Sequence, residues 1–299
     1  MLKSYPLNPG TDNNIRKFLS NNNRFTDNRF LATGGTKYTS GIYTIHEFTI
    51  TDASPSGDPG STASYTFSWQ GEDSPVLTTA DLLIISGGGS GGSGGHYGGG
   101  GGAGGYTYIP GIDLIPYGNS ISVQVGRGGS ASGSGGPENG ADSSFGPIIS
   151  YGGGKGGSSG QGSSGGSGGG WGTYFQPGAS NIPSGAPATA GNHPLSQGNP
   201  GGGARNEGIS NTGGGGGGAG SQGSYGQNYP SPPGGTSAGL SNSITGTAIT
   251  YATGGPSGGS GAGPGYVLHR GHGGAGFGGG AAPAANAGSP GIVIVRYLT

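Results

Sequence analysis

The sequence predicts an all-β fold with almost no α-helix, a small sandwich-like strand region followed by a glycine-rich layered body. Three observations lead there. There are 81 glycines and 21 prolines among 299 residues, about a third of the chain, with unbroken glycine runs at 98–102 and 213–218. Short apolar segments with strand-like alternation punctuate those runs. Charged residues are only 8%, against about 25% in an ordinary domain, so charge repulsion does not hold the chain open.

Glycine loses more backbone freedom on folding than other residues and brings no side chain to bury. A chain this rich in it must order by means other than a large oily core. Hydrophobic residues make up 28%, enough for one or two small sheets. There is no cysteine, so no disulfide or thiolate site contributes. The formal net charge is −1 and no basic stripe is present, which argues against nucleic-acid binding. The longest apolar runs, at 82–85 and 292–295, are far too short for membrane insertion by a helix, which takes roughly 20 residues.

Three parts follow in order. Residues 1–35 read as an N-terminal attachment arm. Six of the eleven basic residues cluster there and just beyond (Lys3, Arg16, Lys17, Arg24, Arg29 and Lys37). Asp12 is placed to cap a short helix over 13–20, with Ile15, Phe18 and Leu19 on one face. Phe18, Phe25 and Phe30 are the candidate virion-attachment anchors if the arm docks on a larger assembly; the plainer alternative is a solvated tail.

Residues 36–86 read as the β-strand region. From Tyr43 to Ile50 both alternating faces carry apolar groups, as in a sandwich. Residues 52–64 form a turn-rich insertion, Tyr65 to Trp69 the next strand, and Ala80 to Ile85 a buried strand entering the first glycine tract.

Residues 87–299 repeat a theme, a short β segment and then a glycine arm. The segments are expected at 106–109, 120–125, 146–151, 246–251 and 291–297, the last closing the sheet begun at Leu82. Gly146-Pro-Ile-Ile-Ser-Tyr151 and Gly246-Thr-Ala-Ile-Thr-Tyr251 share one pattern, a weak internal repeat. The arms are expected as polyglycine II helices, extended coils with three residues per turn and about 3.1 Å rise. Such a coil makes no hydrogen bonds within itself, so every amide must pair with a neighbouring coil. Only a bundle of arms can be stable.

Tyr43-Thr-Ile-His46-Glu-Phe48-Thr, Asp81-Leu-Leu-Ile-Ile-Ser-Gly-Gly-Gly and the 98–102 run leading to Tyr106 together carry a resemblance. Ser122-Val-Gln-Val-Gly126-Arg-Gly-Gly129, Asp142-Ser-Ser-Phe-Gly146 and the closing Gly291-Ile-Val-Ile-Val-Arg296-Tyr297 extend it over roughly 36–299. In this order they resemble the glycine-rich domain of bacteriophage tail and virion-surface proteins, with 54–72 as an insertion. That resemblance implies a non-enzymatic, extracellular virion component, a tail fibre or fibre-tip adhesin. Its partners would be other virion proteins through the arm, a bacterial surface receptor and further copies of itself. No cofactor is implied.

His269-Arg-Gly-His272 has metal-like spacing but no acidic or thiol partner nearby, so exposed loop histidines are expected. The scattered carboxylates form no pair, and no nucleophile elbow is found. Exposed aromatics suit recognition better. Trp171, Tyr174, Phe175, Tyr225 and Tyr229 are the candidate receptor-binding residues, with 176–200 as a distal loop; Tyr97, Tyr106, Tyr108 and Tyr266 lie in similar surroundings. The competing reading has these rings covering edges of glycine layers. From other classes, an extracellular ice-binding or matrix protein is the alternative, and a disordered silk-like segment a third.

Overall fold

The computed structural model describes residues 32–51, 61–69, 77–93, 97–131, 136–172, 197–207, 210–226, 235–258, 270–273 and 287–299. The attachment-arm helix at 13–20, its three phenylalanines and most of the 52–64 insertion lie outside the described residues.

Thirteen strands are formed among them: β1 (Thr36–Ser40), β2 (Tyr43–Thr49), β3 (Ala63–Ser68), β4 (Thr79–Ile85), β5 (Tyr106–Asp113), β6 (Ser120–Val125), β7 (Ser143–Phe145), β8 (Ile148–Ser150), β9 (Arg205–Glu207), β10 (Ser210–Thr212), β11 (Leu240–Asn242), β12 (Ile249–Tyr251) and β13 (Ile292–Leu298). The one helical element among them is a single 3₁₀ turn, Ile115–Tyr117. The fold is all-β.

Two antiparallel sheets make the sandwich. The first has five strands in the order β1-β2-β13-β4-β5, the second four in the order β3-β6-β7-β8. β13 lies between β2 and β4, with Val295 opposite both His46 and Leu82. The closing strand therefore completes the sheet that Leu82 begins, as the apolar runs predict. β4 and β13 are apolar on both faces because both are covered. Leu82, Ile84, Val293 and Val295 face Phe67, Val123, Val125 and Phe145 of the second sheet. Leu83, Ile85, Ile292 and Ile294 point the other way, onto Ile244, Tyr251 and Ala252.

The repeat segments differ from the expectation in one respect. Residues 146–151 and 246–251 are each only the second half of a hairpin, β7–β8 and β11–β12. Gly146 and Gly246 sit in the turns at φ +54° and +93°, a region open to glycine at no steric cost. The shared pattern thus encodes a turn, a short strand and an exit into a glycine arm. The three-residue partners β7 and β11 carry too little periodicity to be read from sequence.

From the sandwich the glycine segments run out and back as extended arms. Along 86–92, successive donors turn through three neighbours. The amides of Ser86, Gly89 and Gly92 donate to the carbonyls of Gly105, Gly102 and Gly99 at 3.2, 2.9 and 2.9 Å. Those of Gly87 and Ser90 donate to Ala141 and Glu138, and that of Gly88 to Ser289. Steps of three residues with the partner changing each time are the signature of a three-fold coil in a bundle.

The arm 98–105 is the axis of that bundle. It is hydrogen-bonded to six neighbouring arms, 86–92, 151–157, 163–172, 213–218, 252–258 and 271–273, a hexagonal arrangement. Backbones meet with nothing between them. A methyl group on Gly101 would overlap the Gly89 carbonyl oxygen, and one on Gly102 that of Ser167. Main-chain amides do here what buried side chains do elsewhere.

Candidate functional site

Register along the arms gives the molecule two ends. β4 ends at Ile85 where the arms begin, whereas Leu298 pairs with Tyr43 at the opposite end of the sandwich. At that base the β1–β2 turn, the end of β13 and the 3₁₀ turn present Ile42, Leu298 and Ile115, exposed at 67%, 58% and 63%. Thr33 enters the fold there too, exchanging two backbone hydrogen bonds with Ser68.

Trp171 and Tyr225 lie along the arms at the other end. The Trp171 amide donates to Gly202 at 3.1 Å and its carbonyl accepts from Gly214 at 2.9 Å, so its backbone is part of the lattice while the residue is half-buried. Tyr225 is 48% exposed, between Ser224, whose carbonyl accepts from Gly215, and Gly226, whose amide donates to Gly203. Trp171 and Tyr225 therefore flank the arm 197–204 at one level, far from the base. The structure places these two candidates at one level on either side of the same arm. Tyr97, half-buried, opens the arm 97–105 at the same end. Tyr174, Phe175, Tyr229 and Tyr266 lie outside the described residues.

Tyr106 and Tyr108 are strand residues of β5, in the segment expected at 106–109, and Tyr106 accepts a 2.8 Å hydrogen bond from Asn242. Burial pushes both phenols above their ordinary pKa. The last residues of the proposed 176–200 loop belong to the lattice. Gln197 is 1% exposed; its amide donates to the Ile149 carbonyl and its oxygen accepts from the Tyr151 amide, both at 2.8 Å. An amide side chain can replace a missing backbone arm, which is why a glutamine sits there. His272 is buried, not an exposed loop residue, because its carbonyl accepts from Ser289 inside the bundle. His269 lies outside the described residues. Among the described residues no group of three His, Cys, Asp or Glu could hold a metal ion.

Sequence reasoning missed a cluster on the outer face of the first sheet. Arg296 donates through Nε and Nη2 to Asp81 Oδ2 at 3.1 and 2.6 Å. It lies 4.5 Å over the Tyr43 ring and donates through Nη1 to the Ser243 carbonyl. A bulge between Ala80 and Leu82 aims Asp81, whose Oδ1 also accepts from the Gly111 amide at 3.0 Å. These groups satisfy one another, so the cluster locks the β11–β12 hairpin onto the sheet. Its only sequence signal is a lone arginine in an apolar strand.

Among the described residues the far end carries exposed Tyr225 and half-buried Trp171 and Tyr97 beside the backbone amides of the arms. That composition suits adaptable recognition through stacking and hydrogen bonding.

A family described as the glycine-rich domain matches residues 61–298, and the chain belongs to it. A comparison with curated proteins gives no match.

Proposed function

We propose that this glycine-rich domain protein is a structural subunit of a bacteriophage virion surface, a tail fibre or fibre-tip adhesin. Its base would join the particle, and its arm ends would meet the bacterial receptor. The observation that carries the reading is the two-ended layout. Exposed Ile42, Ile115 and Leu298 and the chain entry at Thr33 share one end; Trp171 and Tyr225 share the other. A bundle cross-linked by backbone amides is stiff along its length, which suits a spacer that must carry a recognition surface away from a particle.

The likeness of the motifs from Tyr43 to Tyr297 to those of phage tail and virion-surface proteins supports the same assignment. In this reading residues 1–35 fasten the base to other virion proteins, and several copies assemble side by side. The work is mechanical and recognitive.

The test uses the particle. Removing residues 1–31, which leaves the 32–35 strap in place on the sandwich, should leave a folded body that no longer incorporates into virions. Trp171→Ala with Tyr225→Ala should leave incorporation intact and lower adsorption to host cells. Full incorporation without the arm and undiminished adsorption by the double variant would together overturn the assignment. Thermal hysteresis of the purified protein would instead favour an ice-binding role for the glycine lattice.

A further inference from the structure

Inside the sandwich, one histidine holds the entering chain to the fold. His46 on β2 is fully buried, with its ring edge-on to Phe67 at 5.2 Å and stacked on Tyr297 at 5.7 Å. Nδ1 lies 2.7 Å from the Gly34 carbonyl and Nε2 lies 3.1 Å from the Tyr297 hydroxyl. A carbonyl can only accept, so Nδ1 carries the proton and donates to Gly34. Nε2 is then the acceptor, and Tyr297 donates to it. The Tyr297 oxygen in turn receives hydrogen bonds from the Ala32 backbone and Thr44. Thr44 continues the chain to Thr299 at 2.9 Å.

This relay ties three separate stretches together: the entry strap 32–35, β2 and β13. The strap has further holds on the sandwich. Thr33 bridges Ser68, and Gly34 packs so tightly against the Thr66 carbonyl that no side chain fits there. Both ends of the relay bear on the strap, through Gly34 and through Ala32.

A second proton on His46 breaks the relay. Nε2 would become a donor facing a hydroxyl that already accepts two hydrogen bonds, and the Tyr297 proton would lose its acceptor. A buried imidazolium would also be left without a counter-charge. The charged or titratable groups that bear on the ring are Lys37, its cross-strand neighbour on β1, and Tyr297 on β13; β3 presents Phe67. Lys37 is a like charge, and its Nζ donates to the Ala32 carbonyl at 3.3 Å, on the strap itself.

We infer that His46, Tyr297 and Gly34 form an acid-sensitive latch, whose protonation frees the 32–35 strap from the base of the sandwich while the glycine bundle stays intact. The chain entry would thereby change from clamped to mobile when the surroundings acidify. Burial holds the ring below its ordinary pKa of 6.5, against the opposing hydrogen bond to Gly34, and Lys37 adds a smaller push in the same direction as burial.

The test is hydrogen exchange on the full chain between pH 7.5 and 4.5, corrected for the intrinsic rate. Opening of the 32–40 peptide should rise up to about tenfold for each pH unit below 6.5 until the folded-state value is passed. Peptides over 87–105 should stay protected throughout. His46→Gln should remove that pH contrast. Ring titration of His46 by NMR in the unaltered protein should have its midpoint at the pH where the rise in strap opening levels off, and this decides the matter even if the variant fails to fold. Equal strap protection at both pH values, acid opening that persists in His46→Gln, or a ring midpoint that lies away from the pH where the rise levels off would each overturn the latch.

Discussion

The Cα of Gly101 lies so close to the carbonyl oxygen of Gly89 that the two backbones leave no room for a methyl group between them. Gly101 is also surrounded, since its own carbonyl accepts the Gly255 amide at 2.9 Å. Gly101→Ala must therefore push neighbouring arms apart and stretch hydrogen bonds with no water to replace them. A loss of about 3 kcal/mol or more is expected, combining overpacking of about 1–3 kcal/mol with weakened buried amide pairs. Gly160 is the matched control, because a Cβ there meets nothing within 4 Å. Gly160→Ala should be neutral or stabilising by up to about 1 kcal/mol through the unfolded chain. Denaturant midpoints of the two variants measure the contrast, and equal values would remove the lattice as the source of stability.

Gln197 probes the lattice where a side chain stands in for an arm. Its amide satisfies the Ile149 carbonyl and the Tyr151 amide while its own carbonyl accepts from Tyr106. Gln197→Leu keeps the bulk but removes the side-chain partner of two part-buried backbone groups, a loss of about 1–3 kcal/mol for each. A stability loss of about 2–5 kcal/mol is expected, with exchange rising first in peptides over 148–152. Unchanged exchange there would show that other groups satisfy those positions.

These two sites mark what could be read in the sequence. The glycine tracts announce that amides must pair between coils, and the apolar runs at 82–85 and 292–295 announce the central strands β4 and β13. The partners are another matter. A polyglycine arm has no side chains to fix its register, so nothing in the sequence says that Gly102 should donate to Gly154 and not to another glycine. Gln197 reads as loop because its surroundings are polar and glycine-rich, and only the fold shows its amide completing a coil. Asp81 and Arg296 lie 215 residues apart in the chain, and the pair appears only when β13 aligns beside β4. At the far end of the arms, Trp171 and Tyr225 are legible as aromatics out of place in glycine tracts. Their shared level beside 197–204 is not, since it depends on which arms adjoin.

Arg296 makes a separable prediction. Its guanidinium joins Asp81, Tyr43 and the Ser243 carbonyl in one geometry, and the pair is mostly shielded from solvent, with side chains 17% and 22% exposed. Arg296→Lys keeps the charge but cannot span all three contacts, since an ammonium is a point donor. A loss of about 1–3 kcal/mol is expected, the range for hydrogen bonds to charged groups. The change should be local, with faster exchange in peptides over 240–251 and unaltered protection over 98–105. Uniform loosening of both regions would mean that the hairpin is not an independent unit.

Alkaline titration gives the last prediction. Burial pushes the phenols of Tyr251 and Tyr297 up to about 12, from an ordinary value of 10.0. Glu47 adds to the effect at Tyr251 by repelling a phenolate. Between pH 10 and 12 the folded chain keeps protons that the unfolded chain releases. The stability these groups provide is fully present below pH 10 and declines as pH rises toward 12, by up to about 1.4 kcal/mol per unit for each tyrosine. Tyr251 packs against Ile45 and the first sheet, and Tyr297 anchors the relay to His46, so ionisation of either should open the sandwich. Denaturant unfolding at pH 9, 10 and 11 should therefore show falling stability, and Tyr251→Phe should flatten that slope. A slope unchanged by the substitution would place the alkaline sensitivity elsewhere in the chain.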